Sequence, residues 1–125
     1  MATSKFADAR SAGPRTARAL LYSGRPDPAW ELDPDTCRNL LQIWASLPAG
    51  DTRSATPPAE LGYRGVMIED FAAARWIATS GVVTCRSLAV AETRRDPTRR
   101  FERRVLASAP HDLLPPAVRN GTALG

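Results

Sequence analysis

The chain has 125 residues, of which 43% are hydrophobic and 24% are charged, and its formal net charge is +4. This length fits one domain that can bury a core without a metal or disulfide, and the apolar fraction excludes wholesale disorder. No stretch approaches the roughly 20 apolar residues that a membrane-spanning helix needs. We therefore expect an α+β domain at residues 15–119, between flexible tails at 1–14 and 120–125.

The positive charge is concentrated in one segment. Residues 94–104 contain six arginines against Asp96 and Glu102, while the rest of the chain has 11 basic and 11 acidic residues. Such a local field attracts phosphates, carboxylates or an acidic protein surface. However, 16 of the 17 basic residues are arginine, a bias that a GC-rich genome also produces, so the choice of arginine alone does not indicate guanidinium chemistry.

The cysteines give no sign of a metal site or a disulfide framework. Cys37 and Cys85 are 48 residues apart, no CxxC motif occurs, and the only histidine is His111. The first 15 residues lack the apolar stretch of a signal peptide. We therefore expect a cytoplasmic protein with reduced thiols, no metal and no cofactor.

The N-terminal half of the chain predicts one strand and one helix. A strand is expected over 16–23, and the proline-rich segment 23–30 then interrupts regular structure. Asp33 and Pro34 begin a helix that Pro48 ends. The apolar face of this helix is formed by Cys37, Leu40, Leu41, Trp44 and Leu47. Residues 48–60 are expected to form a long exposed loop.

The C-terminal half predicts three strands and a second helix. The strands are expected over 63–69, 75–84 and 88–93, with Gly81 as a bulge in the middle one. Asp96 and Pro97 begin the helix. Its apolar face is formed by Phe101, Val105, Leu106 and Ala109. The proline pair at 115–116 predicts no further helix nearby.

The predicted fold is a single antiparallel sheet of three to four strands with two amphipathic helices on one face, in the order β-α-β-β-β-α. The apolar strand residues are Val66, Ile68, Trp76, Ile77, Val82 and Val83. They cannot all lie on the helix side if the side chains alternate along each strand. We expect the remaining apolar surface to bind a protein partner or a second copy of the chain.

The segment Ser-Gly-Arg-Pro-Asp-Pro-Ala-Trp at 23–30 is the most unusual feature. It places Arg25, Asp27 and Trp30 on a stiff loop at a strand end, where binding groups often lie. Arg25 is the residue best suited to bind a carboxylate or phosphate through two hydrogen bonds. The alternative is a structural turn, with Trp30 against the core and Arg25 paired with Asp27 or Glu31.

A second distinctive segment, Leu-Gly-Tyr-Arg-Gly, lies at 61–65. Together the two segments resemble a group of small uncharacterised bacterial proteins that carry SGRPxPxW and LGYRG segments. The resemblance covers about residues 16–118 and implies that both segments matter, without implying an activity. Gly62 and Gly65 beside Tyr63 and Arg64 suit a backbone that approaches another chain or a ligand closely.

The basic segment predicts an anion-binding surface. If the second helix begins near Asp96, then Arg95, Arg99 and Arg103 share one stripe of it. The alternative is a solvated helix face. No recognisable nucleic-acid-binding module accompanies the arginines, so nucleic acid is a possible but not a favoured partner.

No catalytic set emerges from the sequence. His111 could act as a base for Cys37 or Cys85, but lone residues of these types are usually structural. We therefore expect a non-catalytic binding or partner subunit of a bacterial cytoplasmic system, which could be accessory to a biosynthetic enzyme. An anion or nucleic-acid binder and a small enzyme with a site near 23–30 are the second and third hypotheses. The residues expected to bind a partner or ligand are Arg25, Asp27, Trp30, Tyr63, Arg64 and Trp76.

Overall fold

The computed structural model describes residues 15–21, 27–50, 63–71, 74–88 and 90–119. The strands are β1 (Thr16–Ala19), β2 (Ala29–Glu31), β3 (Val66–Phe71), β4 (Ala74–Thr79), β5 (Val82–Arg86) and β6 (Ala91–Arg95). The helices are α1 (Pro34–Ser46), α2 (Arg100–Ala107) and α3 (Pro116–Arg119). The predicted α+β class is therefore confirmed, but the predicted element order is wrong.

In the described part of the chain, the six strands form one antiparallel sheet in the order β2-β1-β3-β4-β5-β6. The expected three to four strands are thus six. One missed strand is β2, which has only three residues and is too short to show alternation. The other miss is the expected strand 75–84, which is a hairpin of β4 and β5. Ser80 and Gly81 have φ angles of 54° and 79°, the geometry of a two-residue hairpin turn, so Gly81 forms a turn and not a bulge.

Helices α1 and α2 pack on the same face of the sheet, as the sequence predicts. The Trp76 ring on β4 meets the ring of Trp44 from α1 edge to face, with centroids 5.1 Å apart. The same ring stacks on Phe101 from α2 at 5.6 Å with an interplanar angle of 15°. Trp76 is only 2% exposed. It therefore joins both helices to the centre of the sheet.

Helix α1 follows the prediction closely. Asp33 is its N-cap and accepts a hydrogen bond from the backbone N–H of Thr36 at 2.7 Å. This hydrogen bond lowers the pKa of the Asp33 carboxyl. Pro34 is the first helical residue, where its missing N–H needs no partner. The helix ends at Ser46, just before Pro48.

Helix α2 begins four residues later than its predicted cap. Asp96 is 1% exposed, and its carboxylate accepts hydrogen bonds from the backbone N–H groups of Arg100 (2.8 Å) and Phe101 (3.0 Å). The chain reaches the helix through Arg99, which has a left-handed φ of 58°. Asp96 therefore caps the helix through its side chain from the end of β6, and Pro97 lies in the turn between them.

The end of the described chain departs from the prediction. Pro116 begins α3, since proline is tolerated in the first turn of a helix, and Val118 of this helix lies in the core. The two predicted tails lie outside the described residues. In the described part, no helix is long and apolar enough to cross a membrane.

The outer edge of β6 is paired with the segment that follows α1. Ala49 forms an antiparallel bridge with Arg94. The backbone N–H of Arg95 donates to the carbonyl of Pro48 at 2.9 Å, and that of Gly50 donates to the carbonyl of Thr93 at 3.0 Å. The backbone of this outer strand is therefore hydrogen-bonded on both sides near its C-terminal end.

We expect Asp96→Ala to lower the free energy of unfolding by about 2–3 kcal/mol, because buried N–H groups at the start of α2 lose their charged acceptor. Urea unfolding followed by circular dichroism measures the loss. Asp33→Ala is the matched control, since this cap is exposed and should cost less. Equal losses in the two variants would contradict the importance of burial at Asp96.

Candidate functional site

The two distinctive sequence segments meet at the end of β1. The backbone N–H of Leu20 donates to the carbonyl of Gly65 at 2.9 Å, and the carbonyl of Leu20 accepts from the N–H of Arg64 at 2.8 Å. On the next residue, the N–H of Leu21 donates to Oδ1 of Asp27 at 2.8 Å. Residues 63–65 and Asp27 therefore hold the same short stretch of backbone.

Gly65 is required by a close approach between strands. Its φ is 132°, and a Cβ placed here would lie 2.7 Å from the carbonyl oxygen of Ala78 and 2.8 Å from Cβ of Thr79. The hydroxyl of Thr79 also donates to the carbonyl of Arg64 at 2.7 Å. Gly65 thus approaches β4 of its own chain. Gly62 lies outside the described residues.

Tyr63 connects this junction to α2. Its hydroxyl donates to Oε2 of Glu102 at 2.5 Å, and Glu102 is only 2% exposed. Burial raises the pKa of the Glu102 carboxyl, and the hydrogen bond from Tyr63 opposes that rise. Burial and the nearby Glu102 together raise the pKa of the Tyr63 hydroxyl far above its usual range. The pair is therefore a buried, hydrogen-bonded acid and phenol.

Glu102 was not identified as a site residue from the sequence. The helical period offered a clue, because Glu102 precedes Val105 by three residues and Leu106 by four, and both of these are buried. An acid in that phase faces the core and needs a partner. Its partner is 39 residues away in sequence, and no local pattern identifies it.

The two tryptophans of the predicted binding set lie in the core. Trp30 is 6% exposed, and its Nε1–H donates to the hydroxyl of Ser108 at 2.9 Å. Trp76 donates its Nε1–H to the carbonyl of Phe71, also at 2.9 Å. These rings present almost no surface to a partner, which agrees with the alternative that Trp30 packs against the core. Arg25 lies outside the described residues.

Several arginines of the basic segment link β6 and α2 to α1. Nη1 of Arg94 donates to the carbonyl of Trp44 at 2.8 Å, and its guanidinium lies 4.5 Å from the centre of the Trp44 ring. Nε of Arg104 donates to Oδ1 of Asn39 at 2.7 Å. These arginines therefore contribute to the packing of helix on helix and of helix on sheet.

The predicted stripe of Arg95, Arg99 and Arg103 is not formed on one helix. Arg95 belongs to β6, and Arg99 precedes α2. Nε of Arg95 donates to the carbonyl of Ala49 at 3.1 Å. Nε of Arg103 donates to the carbonyl of Thr98 at 3.4 Å. The predicted helical spacing is therefore wrong, while anion binding by these residues stays a prediction.

We call the face of the sheet opposite α1 and α2 the open face. One row of side chains crosses all its strands in register: Ala29, Arg18, Met67, Ile77, Thr84 and Thr93. Met67 and Ile77 are directly paired across the two central strands, and both are partly exposed. Within the described ranges, neither of the two long helices covers this face.

Charge is divided unevenly across the open face. Among the described residues, its β2-β1-β3 half carries Glu31, Arg18 and Glu69, and its β4-β5-β6 half carries Arg75, Arg86 and Arg95. Glu69 forms ion pairs with Arg18 at 3.8 Å and with Arg75 at 3.2 Å. One half of the face is therefore slightly acidic, and the other half is basic.

The residues with reactive side chains are dispersed. Cys37 is buried in the core, Cys85 is half-buried, and both thiols are free. His111 is exposed in the turn after α2, with Nε2 3.3 Å from Oδ1 of Asp112. In the part of the chain that the structure describes, no three histidine, cysteine or acidic side chains are grouped to hold a metal ion.

Comparison with family models, with curated proteins and with solved structures gives no match to this chain. The resemblance carried by residues 23–30 and 61–65 therefore stays a prediction from the sequence. The function must be inferred from the open face, the Tyr63–Glu102 pair and the arginine contacts.

We expect Tyr63→Phe to destabilise the protein more at pH 8 than at pH 4. The Tyr63 hydroxyl opposes the rise in the pKa of Glu102, so the variant raises this pKa further. That change costs an additional ~1.5–3 kcal/mol at pH 8, where the unfolded chain has released the proton (the value of a hydrogen bond to a charged group). At pH 4 the carboxyl, whose pKa is raised by burial, is protonated and neutral. Urea unfolding at the two pH values measures the difference.

The control is Glu102→Gln, which keeps an oxygen acceptor for Tyr63 and cannot titrate. Because the folded-state pKa of Glu102 is raised, the folded protein holds this proton more tightly than the unfolded chain. Stability should therefore fall as pH rises through the interval between the ordinary and the raised pKa. Glu102→Gln should remove that fall, and an unchanged pH profile would contradict the assignment.

Proposed function

We propose that the chain is a non-catalytic protein-binding subunit and that the open face is its docking surface. The observation that carries this proposal is the Met67–Ile77 pair at the centre of the open face. Sheets normally cover such apolar centres with a second layer of structure. A bound protein would supply that layer and remove the partly exposed apolar surface of this pair from water.

The surroundings of this pair favour a protein as the ligand. Beside it, the hydroxyls of Thr84 and Thr93 lie 2.9 Å apart and hydrogen-bond to each other. Thr84 is already only 3% exposed, so a bound protein covers little further polar surface at this position. Farther out, Arg75 and Arg86 supply charge at the rim. An apolar centre with a polar rim is typical of interfaces between proteins.

The other side chains of interest contribute to folding, which supports a binding role over catalysis. Trp76 and Glu102 are buried and have partners inside the molecule. Arg94 and Arg104 donate to α1. The anion-binding hypothesis therefore depends on Arg95, Arg99 and Arg103, and the open face is the stronger candidate.

We expect a photo-crosslinking amino acid at position 77 to capture a protein in cells of the source organism. Ile77 points outward from the centre of the open face, so a bound partner lies within reach of the probe. The adduct is identified by its mass and by peptide sequencing. The matched control places the same probe at Leu88, which is fully exposed in the turn between β5 and β6.

A defined adduct from position 77 that is absent from position 88 supports the docking surface. No adduct from position 77 contradicts it. The same products from both positions would also contradict it, because they would report general stickiness and not a specific face.

A further inference from the structure

We infer that the protein bound to the open face is a second copy of this chain. The two sheets stack face to face about a two-fold axis that runs parallel to the strands, between β3 and β4. The inference rests on the proposed function and names its partner. Two independent features of the open face support it: the position of the apolar pair and the division of charge.

The apolar pair lies where a two-fold axis requires it. The strand order β2-β1-β3-β4-β5-β6 has β3 and β4 in the middle. An axis there places β3 over β4 of the second copy, and β2 over its β6. Because Met67 pairs with Ile77 across these central strands, each Met67 meets the partner's Ile77. The patch is therefore complementary to itself, as an isologous interface must be.

The same rotation brings unlike charges together. Glu31, Thr16 and Glu69 are in register, and so are Arg75 and Arg86. A register shift follows Ile68 between β3 and β4, and across it the ion pair of Glu69 with Arg75 at 3.2 Å joins the two parts of the row. Rotation therefore places Glu69 over the partner's Arg75, and Glu31 beside the partner's Arg86. Opposite charges across an interface favour association and fix its register.

The other in-plane axis is disfavoured by charge. An axis perpendicular to the strands would place each half of the open face over the same half of the second copy. The Arg75 and Arg86 end of the β4-β5-β6 half would then lie over the Arg95 end of the same half in the second copy, so that arginine approaches arginine. Like charges in contact are costly, so only the axis parallel to the strands agrees with this charge pattern.

The size of the open face predicts a modest affinity. Strands about 4.8 Å apart and about five residues long give a six-stranded face of roughly 24 by 17 Å. That footprint is smaller than the ~800 Å² that each partner of a standard interface buries. We therefore expect a dimer that dissociates in the micromolar range.

Sedimentation velocity of the purified full-length chain, over a range of concentrations, tests the self-association. The chain should be a dimer at high concentration, and Ile77→Lys should make it monomeric by placing a charge at the two-fold axis. Leu88→Lys is the matched control and should leave the dimer intact, although it removes a fully exposed apolar side chain.

A charge exchange tests the orientation. Glu31→Arg and Arg86→Glu are both exposed changes, and each alone should weaken the homodimer about tenfold by replacing two attractive pairs with repulsive ones. A mixture of the two variants should form a heterodimer of wild-type affinity, because one of its two charge pairs is the native pair and the other is the same pair with its charges exchanged. Arg103→Glu, an exposed change on α2 away from the open face, should have no effect.

Each failure has its own meaning. If the chain is monomeric at every concentration, the inference that its partner is a second copy is wrong. The proposed function then stands only if the probe at position 77 crosslinks to a different protein that is identified. Equal affinities of the mixed and single variants overturn the axis parallel to the strands. A large loss of stability on Ile77→Lys in a monomeric chain means that the chain covers its own face, and it overturns both proposals.

Discussion

The contact of Trp76 with both helices is the interaction on which this structure depends. From a central strand, the ring packs against Trp44 of α1 and Phe101 of α2, while its N–H is satisfied by a carbonyl of its own sheet. Burying one large ring between two helices secures both of them to the same face. Among the described residues, the same arrangement that builds the core places both long helices on one face of the sheet and neither of them on the open face.

Helices α1 and α2, unlike α3, could be predicted from the sequence because their main determinants are local. Asp33 and Pro34 mark the start of α1, and the period of apolar residues identifies the buried faces of α1 and α2. The strands are harder to predict from local signals. A Ser-Gly pair inside an apolar run fits a bulge or a hairpin turn, and only the positive φ of both residues decides between them. The short strand β2 exists because β1 pairs with it, and its own three residues do not predict it.

The candidate site was predictable only in part, because its contacts join distant residues. The sequence indicated surplus apolar strand residues, and Ile77 does lie on the open face. It did not indicate that Tyr63 would pair with Glu102, or that Arg94 would reach the carbonyl and ring of Trp44, 50 residues away. Long side chains reach across elements, so the charge of a segment does not determine which groups bind it.

The bridge between Ala49 and Arg94 has a consequence for how molecules of this protein can meet. An unpaired outer strand offers its peptide groups as a template on which another chain can extend the sheet, and such growth leads to fibrils. Here the edge strand β6 is already bridged by Ala49, and the other edge strand, β2, is only three residues long. The two sheet edges therefore offer little unpaired backbone on which a neighbouring molecule could extend the sheet. Contacts between molecules of this protein must then be made by side chains.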